Sequence, residues 1–295
     1  MLGYLAMAIP STSGWKSADW KTWFGGLMES AVKRLKDLQK GKGDPAKHVH
    51  ETRKMLKRLR TGTRLLKGFA PKKELKKARI SIRDAGRLLS GSRDGTVRLQ
   101  TFDRLMEMSN KTPKGGLLKA RKMLEKEAEE AAGTAGQGVP EALALLESVT
   151  LMDQKWESLG KNDIKRNLAG VLDRARDYFH ETHEDHEEEF HELRKRVKDL
   201  YYSLGALPGE ATGARKRVMT DFNVFEETLG SLNDLAVLME WFEERGLDRE
   251  KCPAFWKIAE PAVKEKRRIV LEEGVVLDDF GEEERYGKVF LVKEE

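Results

Sequence analysis

His50-Glu-Thr-Arg-Lys-Met-Leu-Lys-Arg-Leu59 returns 141 residues later as His191-Glu-Leu-Arg-Lys-Arg-Val-Lys-Asp-Leu200. Six of the ten positions are identical: His, Glu, Arg, both Lys and Leu. Further along, Leu89-Ser-Gly-Ser-Arg-Asp94, followed by Val97, aligns with Leu229-Gly-Ser-Leu-Asn-Asp234, followed by Val237. The spacing from His to the final Asp is 44 residues in the first copy and 43 in the second. A long motif that recurs at a held spacing marks an internal repeat, one structural unit used twice.

The periodicity inside the motif is helical. With His50 at zero and about 100° per residue, Arg53, Lys54, Lys57, Arg60 and Arg64 fall within roughly 80° of it. Val49, Met55, Leu56, Leu59 and Leu66 occupy the opposite arc. One face is therefore built to pack and the other is a rail of cations. In the second copy His191, Arg194, Lys195 and Lys198 share the polar arc, and Phe190, Leu193, Val197, Leu200 and Leu204 the apolar one. Tyr201 and Tyr202 take the places of Arg60 and Thr61. The next helix of the first copy repeats the design, with Lys72, Lys76, Arg79, Arg83 and Arg87 on one arc and Leu75, Ala78, Ile82, Ala85 and Leu89 facing away. Like charges at i,i+4 destabilise a helix by a few tenths of a kcal/mol per pair. Rails kept free of acids at that cost point to an anionic ligand. Arg offers phosphate a planar fork, Lys a flexible point charge. A histidine beside them either donates an N–H to phosphate or gains its proton when the anion arrives.

The net charge of the 295-residue chain is only +5. Residues 47–104 alone hold eighteen Lys or Arg against five Asp or Glu, a net +13. The acids lie elsewhere, in 125–130, 181–192 and 272–295. Such segregation implies a polyanion partner or a strongly hydrated face. A basic face is usually just solvated; two aligned rails and a duplicated spacing argue against that here. Hydrophobic residues at 39% and charged residues at 36% describe a folded, polar-surfaced chain. No apolar run approaches the roughly 18 residues of a membrane span. The lone Cys252 excludes an intramolecular disulfide framework and a Cys-rich zinc module, and a reducing cytoplasm is the simplest home. The apolar start has no Lys or Arg before Lys16, unlike a signal peptide, so 1–15 reads as a poorly packed end.

Gly and Pro punctuate an otherwise helical pattern. Helices are expected near 16–40, 45–67, 72–90, 94–110, 115–132, 140–159, 161–186, 188–205, 211–229, 233–245 and 253–272, with Asp94 or Asp234 as caps. The glycine-rich stretch 133–140 is the natural seam between a first half, 16–136, and a second, 137–275. An acidic tail, 276–295, follows. Val275–Leu277 and Val289–Val292 read as a small hairpin, and the tail as a candidate competitor for the cation rails.

The doubled His-x-x-Arg-Lys-x-x-Lys motif, the Arg-rich second helix and the Leu-…-Asp landmarks together resemble the CHAD domain, the conserved histidine α-helical domain. The resemblance covers roughly residues 16–275. It implies an all-α fold of two tandem, pseudo-symmetric helical bundles around a central basic cavity. It also implies binding of inorganic polyphosphate and association with polyphosphate granules. On this likeness His50, Arg53, Lys54, Lys57, His191, Arg194, Lys195 and Lys198 line the cavity. Arg60, Arg64, Arg79, Arg83, Arg93 and Arg217 join them, with the Arg174 and Arg176 pair that precedes the second motif. The sequence departs from the pattern at Thr52, at Asn233 (where the first copy has Arg93) and at Asp199, so the second half supplies fewer charges.

Some relatives carry a triphosphatase with a Glu-x-Glu-x-Lys strand; here the nearest string is Glu125-Lys-Glu-Ala-Glu129, inside a helical pattern. Neither a phosphate-cradling glycine loop nor a Ser/His/Asp signature is present, so a binding protein without catalysis or cofactor is expected. His180, His183 and His186 among acids suggest a metal site, but a three-residue period carries the rings around a helix, and no metal is expected. Aromatic residues do not interleave with the rails, which disfavours stacking on single strands and makes nucleic acid the lesser partner. The six tryptophans read as helix packing.

Overall fold

A computed structural model describes residues 17–133, 136–156, 161–207 and 213–280. Among them there is no strand. The helices are α1 (Ser17–Gln39), α2 (Pro45–Leu65), α3 (Lys72–Leu88), α4 (Gly91–Met108), α5 (Gly116–Gly133), α6 (Val139–Glu147), α7 (Lys161–His180), α8 (Glu187–Ala206), α9 (Gly213–Glu244), α10 (Pro253–Glu273) and α11 (Val276–Asp279). A single 3-10 turn, Leu151–Asp153, follows α6. No helix among the described residues is long and apolar enough to cross a membrane.

α2 shows why the motif begins where it does. Asp44 caps it, with Oδ1 accepting from the backbone N–H of Ala46 at 2.9 Å, and Pro45 fills the first helical position. Such a cap contributes about 1 kcal/mol. Val49, Leu56, Leu59 and Leu65 are then buried on one face.

α1 packs on α2, α2 on α3, α3 on α6, and α6 returns to α1, so these four helices close on one another. A second series runs α7 on α8, α8 on α9 and α9 on α10. The α4–α5 hairpin lies with α9 in this second series. Helices from either side of the glycine-rich stretch 133–140 thus pack together: α6 sits with α1 and α3, and α4 with α9. The two series meet where α2 crosses α8, the helices that carry the two motifs.

Several expected boundaries moved. The two helices expected at 211–229 and 233–245 are one, α9. Its buried positions Phe222, Phe225, Leu229, Leu232, Leu235 and Leu238 keep helical spacing straight through Gly230, and this burial outweighs the roughly 1 kcal/mol that a helical Gly costs. Asp234 is therefore interior and caps nothing. Asp94 also fails to cap; it lies in the first turn of α4, where its charge suits the helix dipole. The helix expected at 140–159 stops at Glu147. That expected at 161–186 stops at His180, because Glu189 accepts the backbone N–H of His183 at 2.6 Å and holds a turn there. His180, His183 and His186 consequently sit on a helix end, a turn and the start of α8. They pair with Asp278 and Glu189, and among the described residues no group of three ligating side chains is placed to hold a metal. The first arm of the expected hairpin is helical instead, in α11; its second arm lies outside the described residues, as do residues 1–15.

Of the tryptophans, Trp20, Trp156, Trp241 and Trp256 are buried and Trp23 packs against the core, while Trp15 lies outside the described residues.

α4 and α5 approach closely at Gly95. A Cβ there would meet the Glu127 carbonyl oxygen at 2.9 Å and the Ala128 Cα at 3.1 Å, both backbone. Gly95→Ala should therefore lower stability by about 1–3 kcal/mol, the opposite sign to Gly→Ala in an open helix. Thermal melting checks this, and a raised midpoint would contradict it.

Candidate functional site

At the α2–α8 crossing, Arg64 forms an ion pair with Asp199, and the Lys57 Nζ stands 6.0 Å from the centroid of the Tyr202 ring. The order of these pairs is antiparallel: the later residue on α2 meets the earlier one on α8. His50 lies about 10 Å along α2 from Lys57, and His191 about 12 Å along α8 from Asp199. The histidines therefore flank the crossing on opposite sides and do not converge on one point.

On the α2–α3 side the cations crowd. Arg53 Nη1 donates to the Gly86 carbonyl at 3.2 Å, which ties the motif helix to α3. Arg60 is held below its ordinary pKa mainly by burial, with Arg64 and Arg83 adding to the effect and Asp199 and Tyr202 opposing it. Arg79, reaching in from α3, is lowered mainly by burial and then by Arg64, with Arg60 and Arg83 contributing and Asp199 again opposing. Arg60, Arg64 and Arg79 thus lie in the field of one carboxylate, Asp199, with Arg83 close enough to act on Arg60 and Arg79. Arginine keeps its proton regardless. The depression reflects first burial and second the neighbouring guanidinium charges, and an incoming anion would offset the second. Arg83 is exposed and presents its fork to Asp84 at 2.8 and 3.1 Å, which raises its pKa; Arg87 reaches the same carboxylate at 3.6 Å. Lys54 stands 3.5 Å from Glu51.

The α8–α9 side differs in that its cations have acids of their own. Lys195 pairs with Glu192 at 2.5 Å, and the largely buried Lys198 with Glu226 at 2.9 Å. Burial, then Arg194, lowers the Lys198 pKa, while Glu226 and Asp234 raise it. His191 Nδ1 donates to Asn233 Oδ1 at 3.0 Å, which fixes the ring and turns Nε2 away from Asn233. Asn233 therefore serves as the partner of the second histidine.

Of the residues singled out in the sequence, Arg60, Arg64, Arg79 and Arg83 come together with Lys57 nearby, and Arg194 lies beside Lys198, whose charge is met by Glu226. Arg176 does not join either. Its Nε donates to the Leu277 carbonyl at 2.6 Å, and its Nη2 to those of Asp278 and Phe280, so it fastens α11 to α7. Asp278 in turn meets His180, so the described start of the acidic tail is held at α7. Arg174 on α7 and Arg217 on α9 are exposed. The Arg93 side chain lies outside the described residues. Glu226 was not singled out; an acid one helix away leaves no signal in the motif itself. A pocket between α3 and residues 148–150, lined by Glu74, Lys77, Ser81, Ser148 and Thr150, contains none of the motif residues.

Among the described residues the fold is all-helical, and the two His-bearing helices cross beside a group of arginines. The chain belongs to the CHAD domain family, whose model matches residues 26–243. Among solved structures it is similar to PptA from Streptomyces chartreusis, at 14% identity and a TM-score of 0.58, covering 90% of this chain and 99% of that one. It is also similar to the CHAD domain from the plant Ricinus communis, at 19% identity and a TM-score of 0.59, covering 95% of each. No curated protein matches the chain.

The Lys198–Glu226 pair makes a signed prediction. Because the folded chain disfavours protonated Lys198, the unfolded chain binds more protons between the depressed pKa and the ordinary value of 10.5. Stability attributable to this group therefore rises with pH through that window. Glu226→Gln removes the partner that raises the pKa, and should cost about 3 kcal/mol near pH 7. Part of that loss should return toward pH 10, as Lys198 sheds its proton. Urea unfolding at both pH values checks it; a loss independent of pH would contradict it.

Proposed function

We propose that this chain binds inorganic polyphosphate at the α2–α3 face of the crossing and holds it without turnover. The observation that carries the reading is the cluster of Arg60, Arg64 and Arg79 around Asp199, flanked by Arg83, with Arg60 and Arg79 disfavoured mainly by burial and then by neighbouring arginines. Each guanidinium offers a fork that matches two phosphate oxygens. A linear chain of phosphates satisfies several such forks at once, and every added contact is intramolecular once the first has formed. Membership of the CHAD family supports the reading. A basic hollow between the two series of helices, lined from the first motif by His50, Arg53, Lys54 and Lys57, is part of it. The second motif contributes at the margin, through His191 Nε2 and Arg194. Recruitment to cytoplasmic polyphosphate granules follows from the same binding.

The test is retention of long-chain polyphosphate by the purified chain across a salt series. By analogy with single-stranded nucleic acid, each neutralised phosphate lowers the log–log salt slope by about 0.7, so four arginines give a slope near −3. Arg79→Ala with Arg83→Ala, both on the exposed rail of α3, should weaken retention at least about tenfold and leave helical content unchanged. Unaltered retention by the double variant would overturn the assignment of the face. Duplex DNA bound as tightly as polyphosphate at equal ionic strength would favour a nucleic-acid surface instead. Phosphate release with Mg²⁺, lost on His50→Ala, would replace binding with catalysis.

A further inference from the structure

We propose that Asp199 is a built-in counter-ion of the arginine cluster, and that it sets how many charges an anion must carry before it binds. The proposal rests on the polyphosphate reading above and concerns the regulation of that same site.

Asp199 is 7% exposed and pairs with Arg64, itself largely buried. Its charge also reaches Arg60 and Arg79, acting on both in the direction a bound phosphate would. Within the repeat, Asp199 stands where the first motif has Arg58, so the second copy places an acid at the edge of a cationic arc. Its short side chain, inside a packed crossing, cannot swing out to solvent as a surface glutamate would.

Such a carboxylate does two things. It lets the arginines be brought together in the empty protein, which an uncompensated cluster would resist. It also repels any anion that enters and occupies the fork of Arg64. A short phosphate anion placed in the cluster meets that repulsion in full. A long chain meets it once, and continues along the exposed α3 rail toward Lys76 and Lys72, which lie roughly 5 and 10 Å along the helix from Arg79. The carboxylate thereby discriminates against short anions and leaves long ones as ligands.

The experiment compares tripolyphosphate and long-chain polyphosphate binding by calorimetry, on wild type and on Asp199→Asn. The variant should bind tripolyphosphate roughly five- to tenfold more tightly. It should gain less for the long chain and show a steeper salt dependence. A folded Asp199→Asn protein whose tripolyphosphate affinity is unchanged or weaker overturns the proposal. If the single variant does not fold, Arg64→Gln is compared with Arg64→Gln/Asp199→Asn, which removes both charges. The double variant should bind tripolyphosphate more tightly than Arg64→Gln alone, and equal binding overturns the proposal. A wild-type protein that retains no polyphosphate of any length overturns the binding reading itself, and this proposal with it. Wild-type retention with an inert Asp199 overturns this proposal alone.

Discussion

The arrangement depends on one ion pair, Arg64 with Asp199, where α2 crosses α8. Cationic side chains on packed helices repel, and repulsion is strongest where water is excluded. Arg60 and Arg79 are held below their ordinary pKa mainly by burial, and neighbouring arginines add to it. A single buried carboxylate makes the crossing tolerable without discharging it. Breaking such a pair from one side leaves an unmatched buried charge, which is far worse than losing both partners. The contact that joins the two series of helices is thus also the contact that limits how positive the site is.

The helices around the crossing hold it from several directions. Arg53 ties α2 to α3 through the Gly86 carbonyl. Asn167 on α7 donates to the Leu65 and Lys67 carbonyls at 2.9 Å, capping the end of α2 from the second series. On the far side Glu127 binds Arg98, Trp241 and Arg245, and so connects α4, α5 and α9. These links give the long arginine side chains a fixed base. A preorganised cluster forfeits less entropy when a ligand arrives than a set of free surface lysines does.

Much of the fold was legible because helical periodicity is a local property. The apolar arc of α2 and the cation rail of α3 follow from residue spacing alone, and both are where the pattern put them. Errors fell where a long-range contact overruled local punctuation. Gly230 breaks no helix because Leu229 and Leu232 are buried on either side of it. The valines at 275–276 enter a helical turn because Arg176, a hundred residues earlier, collects the carbonyls that follow. For the site, the repeat identified the motif helices, and the departures from it were informative: Asp199 and Asn233 are each a partner inside the site. What the sequence could not express was pairing between helices. Lys198 reads as a free cation until Glu226 is seen beside it, and Arg176 as a ligand-facing residue until α11 is.

On the proposed reading an anion binds the α2–α3 side of the crossing and not the α8–α9 side, where Glu192 and Glu226 meet the lysines. A crystal structure with bound tripolyphosphate decides between the two sides. The account predicts phosphate oxygens within hydrogen-bonding distance of Arg60, Arg79 and Arg83. Phosphate seated instead on Lys198 and His191, with Arg60 and Arg79 untouched, would contradict it.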